Sequence, residues 1–149
     1  IPDYKIADHS NYSVISVDIF APGTKVNAAS FGGGLIRHTG TSMATPYALR
    51  ETVSIKLNYP SLTSLELKEI ILKSAYIPSI DEPMQATSGG MIYPRRAMEV
   101  AKRYVETNLT IEEAVLSVRT ESDFALKGES SSVEYIEKLL KLWSARIRM

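Results

Sequence analysis

The sequence changes character near residue 40, and this change limits what the chain can fold into. Before it, runs of β-branched and aromatic residues such as 14–20 stop at turn residues, here Ala21-Pro22-Gly23. Residues 26–31 and 35–39 are two further short runs separated by three glycines, which predicts a hairpin with a flexible tip. After residue 42 the apolar residues recur at helical spacing. The chain should therefore combine a few strands with several helices.

Five helices are predicted from the second part of the sequence. The first covers about residues 42–57 and tolerates Pro46 in its first turns. Two others start at capping boxes, in which Thr63 pairs with Glu66 and Thr110 with Glu113. The helix that starts at Thr110 is short and is predicted to end near residue 118, and two more helices are predicted at 94–105 and 133–147. Residues 77–90 are predicted to form a loop and residues 121–132 a polar linker. The apolar stripe predicted for the last helix consists of Val133, Ile136, Leu139, Leu140, Trp143 and Ile147.

Composition excludes several classes of function. The 149 residues include 17 Lys and Arg against 17 Asp and Glu, so no net positive charge points to nucleic acid or to a polybasic membrane surface. The chain has no cysteine, which excludes disulfides, thiolate metal sites and a cysteine nucleophile. No apolar run is long enough to predict a membrane span. The chain starts at Ile1 without a signal-peptide pattern, as a cut or truncated chain would.

One heptapeptide carries the chemistry, Gly40-Thr41-Ser42-Met43-Ala44-Thr45-Pro46. A serine hydroxyl is a weak nucleophile, and an enzyme must place it well and remove its proton. The first turn of a helix suits this purpose, because its free backbone N–H groups point toward an anion that forms beside the serine. Gly40 permits the tight turn into the helix, and the small side chains after Ser42 permit close packing beneath it.

The heptapeptide resembles the serine motif of the subtilisin-like proteases, the subtilases, in which the order is G-T-S-M-A-x-P. Two flanking segments are also similar to that family: Ser10-Asn11-Tyr12-Ser13 with the Val17-to-Gly23 stretch before the motif, and Gly89 to Ala97 after it. The resemblance covers roughly residues 9 to 105. It implies that Ser42 is the acylating nucleophile, that Thr41 supports the oxyanion hole, and that Gly40 and Pro46 shape the motif.

The same resemblance implies that partners of Ser42 lie outside this sequence. Subtilases take a catalytic aspartate, a histidine base and an oxyanion-hole asparagine from positions well before the serine. His9 and His38 match none of these positions, so no base is assigned within the chain. The expected partners are a peptide or protein substrate and an N-terminal segment of the same protease that carries the missing Asp, His and Asn. Nucleic acid and a membrane span are not expected.

For the fold, the resemblance implies an α/β class with a subtilisin-like three-layer arrangement and a mostly parallel sheet. This chain would supply only the C-terminal strands and helices, with residues 1–105 as the C-terminal portion of a catalytic domain and 106–149 as a helical extension. Many subtilases bind calcium and are exported. Calcium is therefore compatible with the family, although no site is identified, and export is expected from the resemblance alone.

Several alternatives accompany this interpretation. Ser42 could be a helix N-cap without chemistry, since serine is a leading N-cap residue. The whole protein could be a pseudoprotease that keeps the serine but binds or regulates, or residues 110–149 could form an interaction module. A phosphate-binding loop does not fit, because five residues separate Gly34 from Gly40 and no lysine follows. Arg50 and Glu51 depart from the small residues usual in this helix, so this part of the helix should be more exposed or face another segment.

Overall fold

The computed structural model describes residues 5–127 and 132–147, with side chains at 5–119 and 133–147. The elements in chain order are β1 (Val26–Ala29), β2 (Leu35–His38), α1 (Thr41–Asn58), α2 (Ser64–Lys73), α3 (Pro94–Glu106), α4 (Ile111–Lys127) and α5 (Ser132–Arg146). The predicted change from strands to helices near residue 40 is thus confirmed. Across residues 5–127 and 132–147, no helix is both long and apolar enough to cross a membrane.

The predicted hairpin is present and leads directly into α1. β1 and β2 pair antiparallel, with Val26 opposite His38 and Ala29 opposite Leu35. The three glycines at its tip, residues 32–34, all have positive φ, between 82° and 98°, which favours glycine over any other residue. The hairpin is exposed along β2, and Phe31 beside the glycines is fully exposed.

The predicted strand at residues 14–20 is wrong except at its last residue. Only Phe20 forms a β-bridge, which is parallel and joins it to Met91, and Met91 in turn pairs antiparallel with Tyr76. The rest of the segment is irregular and bonds to the loop at residues 85–88. Within the described ranges the strands that pair are the antiparallel β1 and β2, so a parallel sheet is not seen here. A β-branched run becomes a regular strand only beside a matching neighbour.

The core of the molecule lies among the four helices that follow α1. Ile70 of α2, Val100 of α3, Val115 of α4 and Leu139 of α5 are completely buried in one apolar cluster. Burying each such side chain contributes about 1.5–3 kcal/mol to stability relative to leaving it in water. Because α4 and α5 share this cluster with α2 and α3, the last helices are part of the same packed unit.

Both predicted capping boxes are confirmed. Thr63 Oγ1 accepts a hydrogen bond from the Glu66 amide at 3.3 Å, and Glu66 Oε2 accepts one from the Thr63 amide at 2.7 Å. Thr110 and Glu113 repeat the arrangement at 3.2 Å and 2.8 Å. Each box spans only four consecutive residues, so the local sequence is sufficient to predict it.

Two predictions about the C-terminal part are wrong. α4 does not stop near residue 118 but continues to Lys127, so the predicted linker is helical over 121–127; residues 128–131 lie outside the described ranges. The predicted α5 stripe is wrong only in part: Leu139 and Trp143 are buried as predicted, but Val133 and Leu140 are exposed, and Tyr135, absent from that stripe, is buried. The helix is rotated relative to the prediction because Tyr135 packs toward α4, where its hydroxyl accepts a hydrogen bond from Arg119.

α1 contrasts with these four helices because most of it is not covered. Ile55 is its buried residue, while Leu49, Val53 and Leu57 are 61%, 45% and 75% exposed. These three residues are four apart and therefore form one stripe along the helix. Ser42 lies seven residues before Leu49, at the N-terminal end of the same stripe.

Candidate functional site

The candidate site is built at the N-terminus of α1. Gly40 is the N-cap, with φ 155° and ψ 165°, a positive-φ conformation that favours glycine, and Thr41 and Ser42 are the first two helical residues. The Met43 amide bonds to the Gly40 carbonyl at 3.0 Å. Ser42 is therefore not the N-cap, and the interpretation that its hydroxyl merely caps the helix is wrong. No side chain caps this helix in the described part of the chain.

The turn before α1 is held by the segment that precedes the hairpin. The Gly40 amide donates to the Gly23 carbonyl at 2.8 Å, and the Lys25 amide donates to Thr39 Oγ1 at 2.9 Å. A Cβ at Gly23 would lie 2.8 Å from the Gly40 carbonyl oxygen and 3.3 Å from the Ala44 Cβ. Only glycine fits there without movement of the motif.

Ser42 is exposed, and its surroundings favour an anion. Among the described residues no group forms a hydrogen bond with its hydroxyl. No side chain caps the first amides of α1, so the amides of Thr41 and Ser42 can donate to an oxyanion, whereas the Met43 amide is taken by the Gly40 carbonyl. The helix dipole adds partial positive charge at this end. Pro46 lies in the second turn and has no amide hydrogen, so the Ser42 carbonyl receives no hydrogen bond from residue 46.

The two histidines of the chain lie in different segments, His38 in the hairpin and His9 in the N-terminal segment. His38 is exposed at the end of β2, opposite Val26, and His9 is exposed in the N-terminal segment. Over the part of the chain that the structure describes, neither of them forms a hydrogen bond with Ser42. A base for the serine is therefore not assembled by these residues.

A cleft of about 290 Å³ lies next to the start of α1. Gly40, Thr41 and Ala44 line it, together with Met84 and Met91. His9 also lines it, but Ser42 does not. The cleft therefore adjoins the N-terminus of the helix without enclosing the serine hydroxyl.

The unusual pair Arg50 and Glu51 is not buried without a partner. The Arg50 guanidinium, largely exposed, donates to the Glu51 carboxylate and stacks 4.8 Å from the centre of the Tyr47 ring. The hydrogen bond to Glu51 raises the pKa of Arg50 above its usual value. The sequence-based expectation that this part of α1 is more exposed is confirmed.

Metal ligands are not gathered in the described residues. Within residues 5–127 and 132–147, no group of three or more His, Asp or Glu side chains is arranged to hold a metal ion. Calcium is compatible with the family resemblance, and no residue of this chain is assigned to it.

The sequence comparisons assign the chain to a family. The profile of the Subtilase family, Peptidase S8, matches residues 2–115, which include the heptapeptide and both flanking segments. The chain belongs to the subtilase family. The α/β fold class follows from this membership, and five helices with one small sheet are compatible with part of such a domain.

Three curated proteins are similar to this subtilase chain. The thermostable alkaline protease of Halalkalibacterium halodurans is 36% identical over 59 residues, 40% of this chain and 16% of that protein. The cell wall-associated protease of Bacillus subtilis is 36% identical over 69 residues, 46% of this chain and 8% of that protein. Subtilisin-like protease 1 of Plasmodium vivax is 29% identical over 99 residues, 66% of this chain and 15% of that protein. The chain thus spans only a small part of the length of the relatives it matches.

The contact between Gly23 and Gly40 was not predicted from the sequence. Ala21-Pro22-Gly23 was interpreted as a turn, and as part of the family resemblance, without a link to the serine motif. In the sequence, Gly23 and Gly40 are two glycines seventeen positions apart, and this separation does not predict that they lie close together in space. Only the folded chain shows that the two residues touch.

Proposed function

We propose that this subtilase chain carries the nucleophile of a serine endopeptidase, with Ser42 as the acylating residue. The observation that carries the proposal is the position of Ser42: exposed, second in a helix whose first amides lack a side-chain cap, and within the family's serine motif. The curated relatives are proteases by name, which supports peptide bonds as the substrate class.

In this mechanism Ser42 Oγ attacks the carbonyl carbon of a peptide bond while a histidine base takes its proton. The carbonyl oxygen becomes an oxyanion, and the backbone N–H of Ser42 donates to it, with Thr41 in support. The base then gives the proton to the leaving amine, and water hydrolyses the acyl-enzyme. Gly40 and Pro46 shape the turn and helix that hold Ser42 in place.

The base, its orienting aspartate and the oxyanion asparagine would come from another segment of the same protease. The described residues offer no histidine bonded to Ser42, which is what a divided site requires. The uncovered stripe of Leu49, Val53 and Leu57 supports the same idea, because it provides an apolar surface that a further part of the domain would cover. Residues 1–105 would then be the C-terminal portion of the catalytic domain and 106–149 its helical extension.

The test is fluorophosphonate labelling of the full-length protein that contains this chain, followed by mass spectrometry of the labelled peptide. The expected result is a covalent adduct on Ser42, because fluorophosphonates react with serines that have an activating base. Ser42→Ala should abolish the label. Ser30→Ala removes another serine hydroxyl, partly exposed, from the neighbouring hairpin and serves as the control.

Unchanged labelling in the Ser42→Ala variant would contradict the assignment of the nucleophile. A folded wild-type protein without any label would contradict catalysis and would favour a pseudoprotease that keeps the serine but binds its partner without cleaving it.

A further inference from the structure

The last helix contacts a loop that belongs to the wall of the cleft beside Ser42. Arg146, in the last turn of α5, donates from Nη1 to the Met84 carbonyl at 3.0 Å and to the Ala86 carbonyl at 3.1 Å. Leu142 packs so closely on Gly89 that a Cβ there would lie 2.9 Å from Leu142 Cδ2. The loop is therefore fastened to α5 at both its ends.

This loop in turn holds the irregular segment before the hairpin. The Thr87 amide donates to the Val17 carbonyl at 2.8 Å, and the Ser88 amide to the Asp18 carbonyl at 3.0 Å. The side chain of Thr87 also donates to the Val14 carbonyl at 3.2 Å. These bonds replace the regular strand that the sequence predicts for this segment, so the segment depends on the loop for its conformation.

The segment ends at the serine motif. Phe20 bonds through its amide to the Gly90 carbonyl at 3.1 Å, and three residues later the Gly23 carbonyl accepts the Gly40 amide at 2.8 Å. Met84, whose carbonyl Arg146 binds, also lines the cleft that Thr41 lines. A continuous path of hydrogen bonds and chain segments thus connects α5 with the residue that caps the Ser42 helix.

We propose that Arg146 is a positioning residue for Ser42, acting through the loop at residues 84–90 and through Gly23. The proposal rests on the proposed function of Ser42. It goes beyond the family, because Arg146 lies past residue 115, where the family match ends. Without Arg146 two carbonyls lose a charged donor, and a loop that lacks regular secondary structure loses its fixed distance from α5.

A displacement of this kind affects catalysis more than binding. Chemistry requires the nucleophile within a few tenths of an ångström of its productive position, and a misplacement of about 1 Å from a remote mutation can lower a rate roughly a hundredfold. The substrate-binding walls that the family places elsewhere in the protein are untouched by Arg146. The rate of acylation should therefore fall while KM changes little.

The experiment compares wild type, Arg146→Ala, Arg146→Lys and Lys141→Ala in the full-length protein, below the unfolding temperature of every variant. Lys141 is exposed on the same helix, so its replacement removes one positive charge from α5 without touching the loop. The readouts are the rate constant of fluorophosphonate labelling at Ser42, kcat and KM on a peptide substrate, and amide exchange at Thr87, Ser88 and Gly40.

The expected result is a fall in the labelling rate and kcat of Arg146→Ala of roughly tenfold to a hundredfold, with faster exchange at the three amides. Lysine at 146 should restore most of the rate, since its ammonium can reach the same carbonyls, and Lys141→Ala should stay within about twofold of wild type. Loss of activity that tracks only the unfolded fraction would overturn the positioning role.

Wild-type rates in folded Arg146→Ala, with normal labelling of the wild type, would overturn this proposal and leave the proposed function intact. A wild type that never labels would overturn the proposed function and the positioning role together. If Arg146→Ala does not fold, Arg146→Gln replaces it: its shorter neutral side chain should slow labelling, and a folded Arg146→Gln protein with the wild-type rate would overturn the proposal.

Discussion

At the scale of single residues, Gly23 controls the approach of two backbone segments. Its carbonyl accepts the Gly40 amide, and its α-carbon faces the Gly40 carbonyl oxygen, where a methyl group would lie at 2.8 Å. Backbone atoms cannot move aside as the end of a flexible side chain can. Any larger residue must therefore displace the turn that starts α1.

We expect Gly23→Ala in the full-length protein to lower the labelling rate of Ser42 and to cost about 1–3 kcal/mol of stability, as overpacking does. The measurement combines labelling kinetics with denaturant unfolding. Gly33→Ala is the control, because a Cβ at Gly33 meets nothing within 4 Å, although its positive φ strains alanine. Equal loss of labelling in both variants would show that the contact with Gly40 is not the cause.

The sequence predicted some contacts between single residues and missed others. The capping boxes of Thr63 and Thr110 were predicted because donor and acceptor lie within one helical turn. Gly23 was missed, because its partner is distant in sequence. The position of Ser42 in the first turn of its helix was predicted, since glycine before it and proline after it limit where a helix can begin.

At the scale of elements, Glu66 joins two helices. Its carboxylate accepts a hydrogen bond from the Thr63 amide in the capping box of α2. It also accepts a hydrogen bond from the Tyr104 hydroxyl of α3, at 2.5 Å. The hydroxyl of Tyr104 first, and then the backbone and side chain of Thr63, lower the pKa of Glu66 below its usual value. The same bond raises the pKa of Tyr104.

This lowered pKa gives a prediction for acid stability. A carboxylate with a lower pKa in the folded state adds stability above its unfolded pKa and loses it as the pH falls through the folded value. Glu66→Gln should therefore reduce the free energy of unfolding near neutral pH and flatten its decline in acid. The measurement is denaturant unfolding from neutral to acid pH.

Glu113→Gln is the matched control for that experiment. Glu113 forms the same box with Thr110, which lowers its pKa too, but the described hydrogen bonds of its carboxylate go to Thr110 alone. Glu66→Gln should thus cost more than Glu113→Gln by about the value of one hydrogen bond to a charged group, 1.5–3 kcal/mol at most and less where water competes. Equal costs would mean that Tyr104 adds nothing to the capping box.

The two wrong predictions at this scale have different causes. Residues 14–20 have the composition of a strand, but a strand also needs a neighbour, and here the backbone finds one only at Met91. Here tertiary surroundings decide what local composition left open. The stretch after residue 120 was interpreted as a linker because of its polar residues, yet α4 extends to Lys127. Glu121, Ala125, Leu126 and Lys127 are good helix formers, so local propensity favours this extension.

At the scale of the whole molecule, Leu49, Val53 and Leu57 form an uncovered apolar stripe on α1, and the proposed divided catalytic domain would cover it with another segment. If another segment covers the stripe, Val53→Asn buries an amide without partners and should destabilise the full-length protein by about 1–3 kcal/mol. The measurement is thermal or denaturant unfolding in a Ser42→Ala background, which prevents self-digestion.

Val105→Asn provides the comparison, because Val105 of α3 is 41% exposed, close to the 45% of Val53, but stands outside the stripe. This variant should change stability by no more than about 0.5 kcal/mol, as surface substitutions do. A Val53→Asn protein as stable as Val105→Asn would mean that α1 faces water in the full-length protein as well.

The glycines at the tip of the hairpin give the protein a place where the covalent chain can be opened at little cost. Exposed tips of small residues are preferred points of proteolytic nicking. A Cβ added at any of these three glycines would meet no atom of the described residues within 4 Å. After a cut at residues 32–34, the ladder between β1 and β2 and the bond between Gly23 and Gly40 would still hold the two pieces together. Such a molecule would run as one particle under native conditions and as two polypeptides in denaturant, with Ser42 on the piece that follows the cut.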